Sequence, residues 1–319
     1  MKKIIVIGTG NLGKRYLQAI LSDDGDFKCF CYDQNPDALN SVDLFLKNNN
    51  LTLSRLIKRN SPDEIFNDID DQSLVIVSTT AQDRLKLVLP ITREKPESMI
   101  IEKPVTQNRE DFLTVMRLCK ESKIQAYTHY TLRFQPFCKV LKDMVRPDQP
   151  FEVTSMLPAM GIACVGIHYI DLFLWLFNIS QPLLEAYSYL GKYEQKRKGF
   201  YDMYGEVIIR SEKRGTGRFI NTEHGGIRTI EIMQEDKVVS VYEDQRVMTI
   251  LNKKDNKTIE TREAEYVYAS QYLTRVIKNY LNGNINLTGE LVDLEEAYLS
   301  HSIVFDYMEK TGNRNLNIT

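Results

Sequence analysis

Hydrophobic and polar positions divide the chain into two parts with different patterns. Up to about residue 125, short continuous apolar runs such as Lys3–Ile7 and Leu74–Ser78 alternate with segments of helical periodicity. Short buried strands separated by helices are typical of a parallel βαβ sheet. From about Phe151, longer segments alternate polar and apolar residues, which favours an open, largely antiparallel sheet with one covered face.

These patterns predict an α/β fold: a Rossmann-type, doubly wound parallel sheet over residues 1–125 and an α+β open-sheet domain over residues 126–319. Predicted strands of the first part are 3–7, 27–32, 74–78, 99–101 and 124–129, and predicted helices are 14–21, 37–48, 83–89 and 108–121. Residues 51–57 fit either a strand or a loop, and we expect Pro90 to stop the third helix. Predicted strands of the second part are 183–190, 204–210, 217–223, 229–234, 238–242 and 247–251, followed by helices over 266–282 and 291–310.

The first strand leads directly into a glycine motif with the spacing of a dinucleotide-binding turn. Gly8 allows the tight turn, Gly10 lets a pyrophosphate approach the backbone, and Gly13 lets the helix pack closely on the strand. The helix N-terminus offers N–H groups and the positive end of a dipole to phosphates. Asp33 ends the second strand, twenty residues after Gly13, where a carboxylate accepts hydrogen bonds from the adenosine ribose. The motif predicts NAD(H); NADP(H) is less favoured, since Asp33 repels a 2′-phosphate.

Composition and charge exclude several other classes. The 319 residues are 43% hydrophobic and 26% charged, as in ordinary globular proteins, and the formal net charge of −2 gives no electrostatic footprint for nucleic acid. The basic run from Lys192 to Lys198 is interpreted as a solvated loop. The five cysteines show no CxxC pair, so we expect no metal site. No secretory signal or membrane span is evident, and we expect a cytoplasmic protein without a membrane partner.

Two further groups of polar residues stand where chemistry is expected. Glu102, Lys103 and Pro104 follow a predicted parallel strand, at the edge where doubly wound folds bind ligands, although a strand-ending charge pair gives the same pattern. His168 and Asp171 lie three residues apart in an apolar segment, hence on one face if residues 167–177 form a helix. Burial of ionisable groups is costly unless they are paired or functional, so the histidine is either a core residue held by Asp171 or a proton-transfer group.

Taken in order along the chain, these motifs resemble the Gfo/Idh/MocA oxidoreductases, the relatives of glucose–fructose oxidoreductase and inositol dehydrogenase. The resemblance rests on Gly8–Gly13, Glu102-Lys103-Pro104, the segment Arg133–Pro136 and Gly166-x-His168-x-x-Asp171. It implies that Lys103 lies beside the nicotinamide and substrate, and that His168 donates or accepts a proton. We expect Asp171 to orient His168 or to assist in substrate binding. It also implies a restrained Lys103–Pro104 segment with a cis peptide bond, and a homodimer or homotetramer formed through the second domain's sheet.

The chain departs from the family pattern in two places. An aspartate usually stands four residues before the histidine, where this chain has Cys164, and a neutral thiol cannot replace a carboxylate as a charge partner. The segment Ser78–Arg84 replaces the family's Pro-Asn-x-x-His-like stretch, and Arg84 is either an anion contact or a solvated helix residue. The Cys164 form is similar to a branch found in bacterial surface-sugar pathways, which implies a sugar or nucleotide-sugar substrate.

The predicted function is hydride transfer between nicotinamide and a hydroxyl or keto carbon of a sugar-like substrate. Two alternatives stay open: a non-catalytic nucleotide-binding or regulatory protein, and a lyase or epimerase that uses NAD transiently. Residues expected at the cofactor are Gly8, Gly10, Asn11, Leu12, Gly13, Asp33, Ser78, Thr79, Glu102 and Lys103. Residues expected at the substrate are Lys103, His129, Arg133, Cys164 and His168, of which Lys103 and His168, with Asp171, form the predicted catalytic set.

Overall fold

The structure, a computed structural model, describes residues 1–318. In chain order the strands are β1 (Lys2–Ile7), β2 (Phe27–Tyr32), β3 (Leu56–Lys58), β4 (Ser73–Val77), β5 (Ser98–Ile101), β6 (Gln125–Thr128), β7 (Phe151–Met156), β8 (Leu183–Glu194), β9 (Tyr201–Arg210), β10 (Gly215–Asn221), β11 (Thr229–Met233), β12 (Lys237–Tyr242), β13 (Val247–Asn252), β14 (Thr258–Glu263) and β15 (Val292–Asp293). The α-helices are α1 (Asn11–Leu21), α2 (Pro36–Asn48), α3 (Pro62–Asn67), α4 (Arg84–Arg93), α5 (Arg109–Glu121), α6 (Pro136–Met144), α7 (Ile167–Leu176), α8 (Ala269–Leu281) and α9 (Leu294–Lys310).

Two compact units make up the chain, and their boundaries differ from the division at residue 125 given by the sequence pattern. Unit 1 consists of residues 1–106, 110–129 and 268–295, and unit 2 contains 107–109, 130–267 and the residues from Glu296 onward. The segment 268–295 joins unit 1 because β15 pairs with β6 and α8 packs on α1. Amphipathic periodicity gives the helix in this segment, but it does not tell which sheet the helix covers.

Unit 1 is built on a seven-stranded sheet with the order β15-β6-β5-β4-β1-β2-β3. All neighbouring strands in it are parallel except the pair β15–β6. The order 3-2-1-4-5-6 is that of a Rossmann fold and confirms the predicted class. The central strands β1, β4 and β5 are buried along most of their length, as expected for strands covered by helices on both faces. The uncertain segment 51–57 is mostly a loop, which leads into the three-residue strand β3.

Unit 2 contains an eight-stranded sheet with the order β14-β13-β12-β11-β7-β10-β9-β8. Only the pair β7–β10 is parallel, so the predicted open and largely antiparallel sheet is confirmed. Strands β7 and β14 and helix α6 were not predicted from the sequence. β14 has exposed residues at nearly every position, so it lacks the alternation that identifies a half-buried strand. Within residues 1–318 no helix is both long and apolar enough to cross a bilayer.

The prediction that Pro90 stops its helix is wrong, because α4 continues through it to Arg93. A proline in a helix interior removes one hydrogen bond and crowds the carbonyl of the residue four positions earlier. Here Ile91 and Thr92, which follow it, are 0% and 3% exposed. Their burial on the same helical face as Val88 stabilises the last turn and outweighs the local cost of the proline.

Pro90→Ala should therefore stabilise the protein, since it restores a backbone donor and relieves the crowding. We expect the free energy of unfolding to rise by about 1–3 kcal/mol in urea denaturation. Pro36→Ala is the matched control, because Pro36 occupies the first turn of α2, where its missing N–H costs nothing. An equal effect of the two substitutions would show that the position in the helix is irrelevant.

Candidate functional site

The glycine turn of unit 1 is closed so tightly that two of its glycines cannot be replaced without displacing backbone. Gly8 has φ +96°, and a Cβ there would lie 2.7 Å from the nitrogen of Thr79. A Cβ on Gly13 would lie 1.9 Å from the oxygen of Gly8, so α1 begins in direct contact with the end of β1. The hydroxyl of Ser78 donates to the oxygen of Gly8 at 2.7 Å and fixes the turn from the side of β4.

Gly10 differs from its two neighbours because the space over it is open. Apart from Gly10 itself and the two residues next to it in sequence, no described heavy atom lies within 4 Å of the position that a Cβ on Gly10 would take. Gly10 is also the N-cap of α1, whose first turn contains the exposed Asn11 and the half-buried Leu12. The first N–H groups of a helix have no intrahelical acceptor, so this end presents donors and a positive dipole end toward open space.

Asp33 is held against the same turn by two backbone amides. Its Oδ2 accepts the N–H of Thr9 at 2.6 Å, and its Oδ1 accepts the N–H of Asn35 at 2.8 Å. The carboxylate is half-buried; its Oδ2 also accepts the hydroxyl of Thr9 at 3.3 Å, and its Oδ1 has a second lone pair for a further donor. The negative charge is therefore fixed in place next to the glycine turn.

Lys103 lies on the loop that follows β5, half-buried, and the peptide bond to Pro104 is cis, as the resemblance implied. The buried guanidinium of Arg84 holds this loop, since it donates to the carbonyl oxygens of Glu102, Pro104 and Val105. Those bonds come from Nη1, and Nη2 donates to the carbonyl oxygen of Thr79, on the loop after β4. One cation thus joins the two loops at the carboxyl ends of β4 and β5.

Arg84 is 2% exposed, so the interpretation as a solvated helix residue is wrong. Burial lowers the pKa of its guanidinium to about 10, against the opposing effect of Glu102, and it stays charged at neutral pH. A signal for its burial exists in the sequence. Arg84 stands four residues before Val88 and seven before Ile91, and these positions share one face of α4.

Glu102 belongs to a buried polar cluster behind Lys103 in unit 1. It is 3% exposed, accepts the hydroxyl of Tyr16, and has an oxygen 3.4 Å from Nδ1 of His129. Burial alone would raise the pKa of Glu102, but His129, Tyr16 and Lys103 outweigh it and hold the pKa below its ordinary value. His129 is 1% exposed and stacks on the ring of Tyr272, with 5.5 Å between ring centroids. The structure therefore surrounds this predicted substrate residue with protein groups.

The second group of predicted residues lies in unit 2, on α7 and the turn before it. Residues Gly161–Gly166 form a π-helical turn that continues into α7, so His168 and Asp171 lie on a helix, as predicted. This turn is capped by the side chain of Asp202, which lies on β9 and is distant in the sequence. The two oxygens of Asp202 accept the N–H groups of Ala163 at 2.9 Å and Cys164 at 2.8 Å. Cys164 and His168 are both half-buried, one helical turn apart.

Asp202 is 0% exposed and gives no signal in the sequence, because an acid within a strand pattern is normally solvated. Gly161, at the start of the turn, has φ +77°, and a Cβ there would lie 2.1 Å from an oxygen of Asp202. This glycine therefore lets the carboxylate reach the amides. The resulting contact is a fixed anion at the amino end of the helical segment that carries His168.

Asp171 has Arg133 as its charge partner. Their closest atoms are 3.5 Å apart, and both side chains are almost completely buried. Arg133 also donates two hydrogen bonds to Glu296, at 2.7 and 3.1 Å. Burial raises the pKa of Asp171 to about 7, although Arg133 opposes the rise, and Glu296 adds to it. Asp171 therefore changes its charge near neutral pH, while Arg133 keeps the bidentate contact to Glu296.

His168 is in contact with a second buried group of unit 2. The ring of Tyr130 meets it edge to face, with 5.6 Å between centroids and 86° between the planes. The hydroxyl of Tyr130 lies 2.6 Å from that of Ser300 and 3.0 Å from Nδ1 of His301. His301, on α9, is thus connected to His168 through Tyr130.

The residues of unit 1 fit a bound dinucleotide. The open space over Gly10 admits a pyrophosphate, the helix end supplies donors, and Asp33 stands one residue after β2 with acceptor capacity left. In unit 2, Cys164, His168 and the Arg133–Asp171 pair are brought together around α7.

The first part of the chain matches a known protein family. Residues 2–130 match the model of the Gfo/Idh/MocA family, described as an oxidoreductase family with an NAD-binding Rossmann fold. A search of curated proteins found no match.

Solved structures resemble the chain over nearly its whole length, at low sequence identity. An oxidoreductase from Agrobacterium radiobacter, in complex with NAD⁺, L-tartaric acid and magnesium, has a TM-score of 0.75 and 15% identity, covering 98% of this chain and 96% of its own. The UDP-N-acetylglucosamine 3-dehydrogenase GnnA from Acidithiobacillus ferrooxidans has a TM-score of 0.70 and 15% identity, covering 98% and 97%. The WlbA dehydrogenase from Bordetella pertussis, in complex with NADH and UDP-GlcNAcA, has a TM-score of 0.68 and 16% identity, covering 99% and 97%.

At these identities the solved structures show a shared fold, and the family model covers residues 2–130. The resemblance predicted from the motifs is confirmed, since residues 2–130 match the Gfo/Idh/MocA oxidoreductase family with its NAD-binding Rossmann fold.

Proposed function

We propose that the chain is an NAD-dependent oxidoreductase that transfers a hydride between the nicotinamide and a hydroxyl or keto carbon of a sugar or nucleotide-sugar-like substrate. The observation that carries the proposal is the closed glycine turn with open space over Gly10 and the carboxylate of Asp33 fixed beside it. Bound NAD would supply the hydride chemistry. The neighbours that act on UDP-sugars support the choice of substrate class.

Lys103 is proposed to polarise the reacting oxygen. Arg84 binds the carbonyls on both sides of Lys103, so the loop that carries the ammonium is fixed before substrate arrives. A preorganised charge stabilises the charge that develops on the substrate oxygen more than a mobile one does. Glu102, the residue before it, is buried, and the nearby Lys103 contributes to holding the pKa of this carboxyl below its ordinary value.

His168 is proposed to donate or accept the proton of the same oxygen. An imidazole is suited to this role because its ordinary pKa lies near neutral pH. Asp202 fixes the backbone one turn before it, and Tyr130 packs against its ring. The usual family aspartate is replaced by Cys164, so we assign the positioning of this segment to Asp202. Asp171 is proposed to tune the site through Arg133.

A second copy of the chain is proposed to cover the open face of the eight-stranded sheet. Paired residues of neighbouring strands place a set of half-exposed apolar side chains on that face. They are Met156, Ile208, Ile220, Met233, Val238 and Leu251.

Cofactor binding is the first test, measured by fluorescence titration with NADH and, separately, NADPH. We expect NADH to bind more tightly than NADPH. Asp33→Asn should reduce the ratio of the two affinities by about tenfold, because it removes the charge that repels a 2′-phosphate. Asp37→Asn is the control, since Asp37 lies nearby in the first turn of α2. A wild type that prefers NADPH, or that binds neither nucleotide, would refute the assignment.

Lys103→Met should lower turnover by about 10²–10⁴-fold, with the NADH dissociation constant changed by less than about threefold. Turnover is measured as a change in NADH absorbance, with UDP-N-acetylglucosamine and its uronic acid as the first substrates. Lys120→Met, on the exposed side of α5, is the control and should leave both quantities unchanged. Full turnover by the Lys103 variant would remove this residue from the mechanism.

The raised pKa of Asp171 predicts a particular pH dependence of stability. A carboxyl with a folded-state pKa of about 7 favours the folded state most below its ordinary pKa and loses that contribution as the pH rises toward 7. Between pH 5 and 8, Asp171→Asn should therefore gain about 2 kcal/mol in unfolding free energy relative to wild type. In Asp244→Asn, where Arg228 holds the native pKa below its ordinary value, the difference from wild type should stay constant over this range. A constant difference for Asp171→Asn as well would contradict the raised pKa.

A further inference from the structure

A concentrated positive charge stands at the turn between β8 and β9. We call it the basic tip and define it as Lys192, Lys196, Arg197 and Lys198, whose only acidic neighbour within residues 192–198 is Glu194. The segment thus carries a net charge of +3, four cations less one carboxylate, in a chain of net charge −2. All four cationic residues are exposed. A local excess of one sign raises the concentration of oppositely charged ligands at that point.

The basic tip is ordered by its own contacts. The N–H of Gln195 donates to the oxygen of Phe200 at 2.8 Å, which closes the hairpin. Glu194 accepts the N–H of Gly199 at 2.6 Å, so its carboxylate is engaged with the turn's backbone. Arg197 lies over the ring of Phe200, at 5.5 Å from the centroid. The guanidinium is thereby held on the same turn as the lysines.

The base of this hairpin is tied to the segment that carries His168. Gln195 donates to Oδ2 of Asp202 at 3.3 Å, and the same oxygen accepts the N–H of Cys164. Tyr193 is the register partner of Asp202, and its ring stacks on Tyr204 with centroids 4.3 Å apart. Burial, together with the nearby Asp202, Tyr204 and Cys164, raises the pKa of Tyr193.

Cys164 is one helical turn before His168, so the hairpin and the predicted proton-transfer residue are parts of one connected structure within unit 2. Nothing in the proposed chemistry at His168 requires four cations on the adjoining hairpin. A positive charge of this size fits an anionic part of the substrate that lies away from the reacting carbon.

We propose that the basic tip binds a phosphate or diphosphate group of the substrate while the sugar reaches His168. This inference rests on the proposed function and narrows its substrate class to phosphorylated or nucleotide-linked sugars. Phosphate carries up to two charges and accepts forked hydrogen bonds from a guanidinium, so it matches a cluster of +3 better than a single carboxylate does. The lysines add point charges around that contact.

The test is calorimetric titration of the protein, saturated with NADH, with UDP and with inorganic pyrophosphate. Saturation keeps both probes away from the glycine turn, which itself favours phosphates. We expect Arg197→Gln/Lys198→Gln to weaken binding of both probes by about tenfold or more. Lys254→Gln/Lys257→Gln is the matched control, because it removes two exposed lysines from the turn between β13 and β14 of the same sheet and should change nothing.

A second variant, Lys196→Gln/Lys198→Gln, keeps the contact of Arg197 with Phe200 and should also weaken binding of both probes. Tighter binding of UDP than of pyrophosphate would point to a nucleotide-linked sugar, and equal binding would point to a sugar phosphate; both support the inference. Wild-type protein that binds neither probe, or equal losses in the hairpin and control variants, would overturn it. NADH affinity, measured for the same variants before NADH is added to saturation, separately reports on the proposed function.

Discussion

A buried guanidinium holds together the part of unit 1 in which the predicted chemistry is concentrated. Arg84 donates to backbone carbonyls on the loops after β4 and β5, and these loops carry Thr79 on one side and Lys103 on the other. A charge buried to this extent is costly unless it is hydrogen-bonded, and both terminal nitrogens of Arg84 donate to carbonyl oxygens here in place of water. The same contacts fix the loops relative to the sheet, so the position of Lys103 depends on a residue that need not touch substrate.

Unit 2 uses the opposite charge for a similar purpose. Asp202 is a buried anion that accepts backbone amides of the turn before α7, so it fixes the segment that leads to His168. Both arrangements anchor a segment that carries a proposed functional residue, Lys103 or His168, by its backbone. They also explain how the segment before His168 can be positioned although Cys164 stands where the family usually has an aspartate.

The sequence predicted the elements of unit 1 well because each had a local cause. Gly8 and Gly13 are required by close backbone contacts, and the apolar runs of β1 and β4 are continuous because both faces are covered. What it could not predict depends on residues that are distant along the chain. Asp202 lies 38 residues from the amide of Cys164, and Arg133 contacts Glu296 across 163 residues. Alternation and helical periodicity report on one element at a time, so such pairs leave no trace in them. The continuation of α4 past Pro90 was missed for a related reason, since tertiary burial outweighed a local preference.

The return of residues 268–295 to unit 1 has a consequence for how this protein is made. Strand β15 pairs with β6, the hydroxyl of Tyr127 bonds both to the oxygen of Ile285 and to the N–H of Leu287, and α8 packs on α1. The nucleotide-binding unit is therefore completed by a segment that a ribosome adds only after nearly all of unit 2. A gene fragment that ends near residue 130 encodes the region matched by the family model, yet it lacks the helix that covers α1 and the strand that borders β6. The region that sequence similarity assigns to the family and the compact unit 1 of the structure thus consist of different segments of this chain.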